Sequence, residues 1–409
     1  MRRGWTALSR RSLVTRDPDE AKEYFSSLWA GSLRRAGASW AYIGADVMET
    51  RSGKRRQPLV IDGSHGEGGG QILRTALALS ALTGRSFELV NIRAARPKPG
   101  LAAQHLTALR ATAALCDAEL AGDELRSLTL RFAPRRQARA GEYLVDVAAQ
   151  REGGSAGAIT LVLQTLLLPL ALAAGRSNLI LRGGTHVPWS PSFDYVRDVW
   201  LPTLAAMGVR CEVELLRWGW YPLGGGEIRA TVEGLGDTPL EPLLRERYDA
   251  RAIVRGRAVS SQLPVHVPER MRVHALSLLR AQDVEAQIAA QDVDAACPGA
   301  GIFLGSHFAN GHAGFTALGR RGKPSEAVAE EAVAKLLAHR RSGAAADIHL
   351  GDQLMLPAAF AGGDSRYSVE QVSRHLTTNG WVLEQFGVAN IAITGREGEV
   401  GHVSVRPCG

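Results

Sequence analysis

The chain reads as an α/β protein assembled from duplicated strand–helix units. Short β-branched runs alternate with longer helical patterns, the alternation restarts near residue 142, and each round closes on a pair of strands. That spacing places the helices on one face of a sheet. In the first unit, 58–133, Leu59, Val60 and Ile61 fit a buried strand, Gly66, Gly68, Gly69 and Gly70 make a turn suited to glycine, and Gln71, Ile72 and Leu73 open a helix. The unit ends on the alternating pattern of 128–132. The second unit, 142–234, predicts strands near 143–148 and 178–183, helices near 156–174 and 192–207, and closing strands at 211–216 and 227–232.

The 409 residues are 45% hydrophobic and 22% charged, ordinary for a globular chain with a large core, and the length suggests two domains. Cys116, Cys211, Cys297 and Cys408 show neither pairing nor metal spacing, so free thiols in a reducing compartment are expected. The longest apolar stretch, 158–174, is broken by Gln164 and Pro169 and reads as a buried helix, not a membrane span. Net charge is +7, from 48 Lys+Arg minus 41 Asp+Glu. Residues 1–57 hold twelve basic and six acidic groups, so six of the seven charges lie there and the body is close to neutral. Bulk charge gives no argument for nucleic-acid binding by the body, which leaves local basic patches. The basic extension has no apolar core of a secretory signal.

The stretch PLVIDGSHGEGGGQILR (58–74) runs strand, glycine turn, helix, and leaves backbone N–H groups at a positive helix end that suits an anion such as phosphate. It is not a Walker A loop, since no Gly-Lys-Ser/Thr follows, nor the dinucleotide fingerprint, because Gln71 takes the place of the last glycine. A tight turn without a ligand is the plain reading of an isolated glycine loop. Glu67 favours a site, because a carboxylate beside a phosphate repels it unless a divalent cation lies between them. Further on, Arg93 and Arg96 leave a strand, Pro97 and Pro99 stiffen the turn, and Gln104 and His105 sit near the next helix start. Arginine forks grip phosphate in a bidentate way. The alternative is a solvated loop with two surface arginines, and the prolines favour the site.

Together, IDGSHGEGGGQILR and IRAARPKPGLAAQHL closely resemble the RNA 3′-terminal phosphate cyclase family. The resemblance runs from Pro58 to the C-terminus, about 350 residues. It continues through GGSAGAITLVLQTLLLP (153–169), GGTHVPWSP (183–191), GWYPLGGGEI (219–228), HLGDQLMLPAA (349–359) and SRHLTTNGWVLEQF (373–386). The resemblance implies repeated βαβαββ-type units, three in number, forming a larger domain at 58–246 and 343–409, with a smaller α/β domain inserted at 247–342. The last helix of that insert, 325–341, carries an amphipathic stripe.

The resemblance further implies an ATP-dependent conversion of an RNA 3′-terminal phosphate to a 2′,3′-cyclic phosphodiester, in the cytoplasm, through a histidine-AMP intermediate at His375. A neutral imidazole is nucleophilic near pH 7, and a phosphoramidate on it stays activated for transfer. Thr377, Thr378 and Asn379 either hold the ring or cap the helix. The family's ATP contacts map onto Gln164 and the run His349, Leu350, Gly351, Asp352 and Gln353. Gln164 reads adenine or makes a structural bond, while Asp352 and Gln353 read ribose or base or cap 354–356. Glu67 is the candidate ligand for Mg²⁺ or Mn²⁺. Arg74, Arg93, Arg96 and Gln104 are candidates for the ATP and RNA phosphates, with Lys98 and His105 behind them. None of the five lysines stands in the Lys-x-Asp-Gly motif of lysine-adenylating ligases.

Two features depart from the family. Trp218 stands where Arg or His usually precedes the Gly-x-x-Pro-x-Gly-Gly-Gly block, so a weakened phosphate contact is expected there. The 1–57 extension is not shared; it reads first as a disordered tail, then as a miscalled start, then as a weak RNA-binding arm. A non-catalytic branch used in ribosome assembly lacks the nucleophile, and the presence of His375, Glu67, Arg93 and Arg96 argues against it. Enolpyruvyl transferases share related repeats without a nucleophilic histidine, and a repeat architecture assigns no chemistry.

Overall fold

A computed structural model describes residues 57–150, 155–248, 252–309 and 311–408, so the extension lies outside the described residues except for Gln57. The described residues form four mixed four-stranded sheets. The first is built from β1 (Leu59–Asp62), α1 (Gly70–Thr83), β2 (Phe87–Val90), α2 (Ala103–Cys116), β3 (Glu119–Ala121) and β4 (Leu130–Ala133), in the order β1-β2-β4-β3. β1 and β2 run parallel with Leu59 opposite Phe87, and β4 is antiparallel to both β2 and β3.

The second repeats this wiring with β5 (Glu142–Asp146), α3 (Ile159–Ala171), β6 (Arg176–Gly183), a helical segment α4 (Phe193–Tyr195, a π-helical stretch Val196–Trp200, then Leu201–Ala205), β7 (Arg210–Arg217) and β8 (Gly226–Glu233). Its order is β5-β6-β8-β7. The chain then lays down β9 (Leu244–Arg245) and departs into β10 (Ile253–Ser261), α5 (His266–Arg280), β11 (Ala286–Asp292), β12 (Gly299–Phe308), β13 (Gly311–Leu318) and α6 (Ser325–Ser342). These make a sheet of their own, β11-β10-β12-β13, called the fourth sheet. Two short helices, α7 (Leu350–Gln353) and α8 (Met355–Ala358), then β14 (Ser365–Val369), α9 (Arg374–Phe386), β15 (Ala389–Thr394) and β16 (Gly401–Pro407) complete the chain. β14 pairs in parallel with β9, so the third sheet, β15-β16-β14-β9, which holds the C-terminal residues, takes its edge strand from 244–245, before the excursion.

The α/β class expected from the sequence is what forms. One local expectation changes: β1 is an edge strand, with Ile61 fully buried but Val60 60% exposed, because its outer row faces water. The apolar stretch at 158–174 becomes α3, buried at nearly every position, as read. Among the described residues no helix is long and apolar enough to cross a membrane, and all four cysteines are free.

α1, α2, α3 and α9 pack on one another, and Ile72, Leu77, Leu109, Leu163, Leu166 and Leu383 form one continuous core shared by three sheets. Each such fully buried side chain contributes about 1.5–3 kcal/mol. The fourth sheet has a separate core around Val254, Met271, Leu304, Phe315 and Leu336.

A polar and aromatic junction fastens the fourth sheet to the second. The nearly buried Asp194 carboxylate meets His186 Nε2 at 3.1 Å, Arg257 of β10 at 2.6 Å and Arg197 at 3.4 Å. Burial opposes ionisation there, but His186, Arg257 and Arg197 hold the Asp194 carboxyl below its ordinary range. Trp218 stacks on His186 at 4.4 Å and on Trp220 at 5.7 Å, with the Arg257 guanidinium 6.0 Å above its ring. The absent charge at position 218 is thus met by a cation from β10, in a packing junction. Trp218→Ala should lower stability by about 2 kcal/mol, read as a fall in Tm; an unchanged Tm would show that the stack holds nothing.

Candidate active site

The glycine turn is crowded by two neighbouring helices, and this explains its composition. Gly66 and Gly68 have φ of +58° and +59°, which L side chains rarely adopt. A Cβ on Gly66 would lie 2.1 Å from Thr378 Oγ1 of α9, and one on Gly70 would lie 2.2 Å from His105 Nε2 of α2. Held this way, the Glu67 N–H donates to Thr378 Oγ1 at 3.1 Å. The Glu67 side chain is only 8% exposed and pairs with Arg96, whose guanidinium also donates to the Glu67 carbonyl at 2.9 Å. A carboxylate this withdrawn from water needs such a partner.

Ser373 caps α9 by accepting the Leu376 N–H at 3.1 Å, which sets His375 in the first turn with its side chain 51% exposed. His375 Nδ1 hydrogen-bonds Gln71 Oε1 and stands 3.7 Å from Glu67 Oε1. The other end of the Gln71 amide donates to Asp352 Oδ2 at 2.6 Å. With Nε2 of Gln71 donating to Asp352, its Oε1 faces His375 as an acceptor, and a neutral His375 ring that fills it carries its proton on Nδ1 and keeps a lone pair on Nε2.

Thr377, Thr378 and Asn379 do other work than the ring-holding considered for them. Thr377 donates to the Arg374 carbonyl, Thr378 takes the Glu67 N–H, and Asn379 donates to the Asp352 carbonyl at 2.7 Å while accepting from Thr75 at 2.6 Å. Thr378 and Asn379 point into the α1 side of the helix and dock α9 there. Gln71 holds the ring instead. Its only signal in the sequence was its position in place of the fingerprint's last glycine.

Burial lowers the His375 pKa, with Arg74, His349 and Arg96 adding to the shift and Glu67 opposing it. Burial likewise brings Arg74 down to about 10, against Glu67 and Asp352, so it remains a cation at neutral pH. Burial raises Asp352 to about 7, against Gln71 and Arg74.

The remaining candidates lie around this centre in unequal roles. Arg93 adopts a φ of +52° and donates to the Gly100 carbonyl at 2.9 Å; burial, then Arg96, lowers its pKa. Gln104 accepts the Ala158 N–H at 3.1 Å and so fixes the entry to α3. Gln164 donates to Gln353 at 2.7 Å, joining α3 to α7. His349 is exposed at the start of α7, whereas Leu350 and Gly351 turn inward, the Gly351 carbonyl taking the Tyr367 hydroxyl at 2.8 Å. Lys98 stays exposed on the turn. His105 is buried, accepts the Ala102 N–H, and is held neutral with a pKa of about 3 by burial, then Arg74 and Arg93; its part is structural.

Among the described residues no three His, Cys, Asp or Glu side chains gather as a metal cage. A single withdrawn carboxylate does fit a hard cation that takes one protein oxygen and completes its shell with phosphate and water. Glu67 is that carboxylate, with Arg96 as the competing charge.

Guanidinium groups, a carboxylate and an accessible imidazole around a glycine turn are a set that phosphate chemistry in an α/β enzyme can use. The profile described as RNA 3′-terminal phosphate cyclase matches residues 65–393. The chain belongs to the RNA 3′-terminal phosphate cyclase family. It is 58% identical over 335 residues to the RNA 3′-terminal phosphate cyclase of Methylococcus capsulatus, covering 82% of this chain and 92% of that one. It is 49% identical to that of Gloeothece citriformis over 81% and 95%, and 42% identical to that of Methanopyrus kandleri over 85% and 99%.

The tautomer gives a direct test. Nitrogen-15 NMR of the neutral protein should find the His375 proton on Nδ1, and Gln71→Leu should return the ring to the Nε2–H form usual for free imidazole side chains. An Nε2–H ring in the unsubstituted protein would refute the assignment.

Proposed function

We propose that this enzyme converts an RNA 3′-terminal phosphate to a 2′,3′-cyclic phosphodiester at the expense of ATP, with His375 as the nucleophile. One observation supports the reading above the others: the His375 ring is half-exposed, meets the Gln71 amide oxygen through Nδ1 so that Nε2 is left unbonded among the described residues, and stands 3.7 Å from Glu67 beside Arg74 and Arg96.

In the first step the His375 Nε2 lone pair attacks the α-phosphorus of ATP and the bond to pyrophosphate breaks. Arg74, Arg93 and Arg96 offer the positive charge that the leaving pyrophosphate needs. Gln164, His349, Asp352 and Gln353 are assigned to the nucleoside, with Leu350 and Gly351 as backbone, and Gln104 to the neighbourhood of the RNA phosphate. An oxygen of the RNA 3′-phosphate then attacks the phosphorus of the histidine-AMP, breaking the P–N bond and leaving a phosphoanhydride. Finally the vicinal 2′-oxygen attacks the activated 3′-phosphorus, loses its proton and expels AMP. That step needs little help, since a tethered, oriented hydroxyl reaches effective molarities of ~10⁵ M or more. Mg²⁺ or Mn²⁺ on Glu67 would supply charge neutralisation at the phosphates.

The reading also takes 247–342 as a domain inserted into the body formed by 58–246 and 343–409, in keeping with the separate core of the fourth sheet. Free cysteines fit a reducing cytoplasm.

Incubation with α-labelled ATP and a divalent cation should leave acid-labile, alkali-stable label on the protein, and His375→Ala should abolish it. Label that survives the substitution removes the nucleophile assignment. RNA ending in a 3′-phosphate should become phosphatase-resistant, whereas a 2′-deoxy terminus should stop at the adenylated stage. Cyclisation of the deoxy substrate would contradict the last step.

A further inference from the structure

We infer that Asp347 is a positioning residue through which the fourth sheet fixes the 349–353 run for the nucleotide, an inference that rests on the ATP reading above. Asp347 lies between α6 and α7 and is 1% exposed. Its Oδ1 accepts the backbone N–H groups of His349 and Leu350, each at 2.9 Å. The Tyr195 hydroxyl donates to the same carboxylate at 2.9 and 3.2 Å, and the Gly314 N–H donates to Oδ2 at 3.1 Å. The donors therefore come from three places at once: the first turn of α7, α4 of the second sheet, and β13 of the fourth.

A carboxylate is costly to take out of water unless its lone pairs are filled. These partners fill them without a cation among them, so what the arrangement fixes is relative position. α7 has four residues and is too short to hold its own shape. The two amides that begin it are held from outside, by Asp347. β13 meets α4 closely at this point: a Cβ on Gly314 would lie 2.7 Å from Val199 and 2.9 Å from Tyr195. Ser192 and Thr316 add a hydroxyl pair at 3.0 Å. Burial, then the Asp347 charge, raises the Tyr195 pKa well above the ordinary phenol range, which keeps the hydroxyl a donor. Movement of the fourth sheet against α4 would thus be felt at His349 and at the Gln353 amide that meets Gln164.

Three substitutions separate the bonds. Asp347→Ala removes all of them. Asp347→Asn keeps an oxygen toward the His349 and Leu350 amides and the shorter Tyr195 bond but sets an NH₂ donor against the Gly314 N–H, so the tie to β13 and the longer Tyr195 bond are broken. Tyr195→Phe removes the hydroxyl and leaves the three backbone donors. The rate of His375 labelling by α-labelled ATP is measured against ATP concentration on the full-length protein.

Asp347→Ala should raise the half-saturating ATP about tenfold or more, and Asp347→Asn about threefold, with the rate at saturating ATP held within about twofold. Should the Ala variant fail to fold, the Asn and Phe variants decide by the same split. Half-saturation unchanged in Asp347→Asn and Tyr195→Phe, or a fall in the saturating rate alone, would overturn the inference. Absence of label on the unsubstituted protein would instead remove the ATP reading, and this inference with it.

Discussion

The Gln71 amide is the bond on which the site turns. An amide group has an accepting end and a donating end, so committing the donor to Asp352 commits the acceptor to His375. The three residues lie in the first turns of α1, α7 and α9, far apart in the chain. No local preference of any one segment brings them together. The shared helical core does so, by packing α1 against both α3 and α9. An unpartnered buried group costs about 1–3 kcal/mol, so an error in the packing of α9 would be charged both to the core and to this bridge.

The electrostatics of the site resolve a conflict of requirements. On the proposed reading, the histidine that attacks phosphorus must be neutral, yet the triphosphate must be drawn in by positive charge. Cations placed near the imidazole satisfy both conditions, because they disfavour the imidazolium while attracting the anion. Arg74 and Arg96 act in that sense on His375, and burial acts with them. Glu67 pulls the other way, which is why its pairing with Arg96 matters before any substrate arrives. On the proposed reading, a hard cation bound by Glu67 would compete with Arg96 for its oxygens and would leave the guanidinium available to phosphate.

Much of this was legible in the sequence where the signal was local. The order of strand, glycine turn and helix in 58–74 stands as read, though β1 is an edge strand and not a buried one, and at the turn positive φ and close approach leave little choice but glycine. The alternation of elements gave the α/β class for the same reason, since period and turn chemistry are short-range. What was not legible depends on contacts between distant segments. Gln71 looked like a helix opener, and its partners lie 281 and 304 residues away. Thr378 and Asn379 looked able to hold the ring, but the rotation of α9 on α1 turns them inward. Trp218 looked like a lost phosphate contact, and only the approach of Arg257 from β10 reveals a packing role. β9, two residues long, carries no periodicity at all and exists only because β14 is there to pair with it.

That last pairing bears on why the fourth sheet can sit where it does. Leu244 pairs opposite Arg366, so everything from β10 to α8 is a loop thrown out from one parallel step of the third sheet. The entropy of closing a loop grows only with the logarithm of its length, so a long excursion costs little more than a short one. A loop with its own core returns the chain to a fixed place and removes most of that cost. The excursion re-enters the third sheet through Asp347 and α7, and α7 carries Asp352 to Gln71. The side chains that pin the fourth sheet, Asp194 to Arg257 and Asp347 to Gly314, therefore also set where the chain resumes. The position of Asp352, and through Gln71 the orientation of the His375 ring, is to that extent a property of the whole fold.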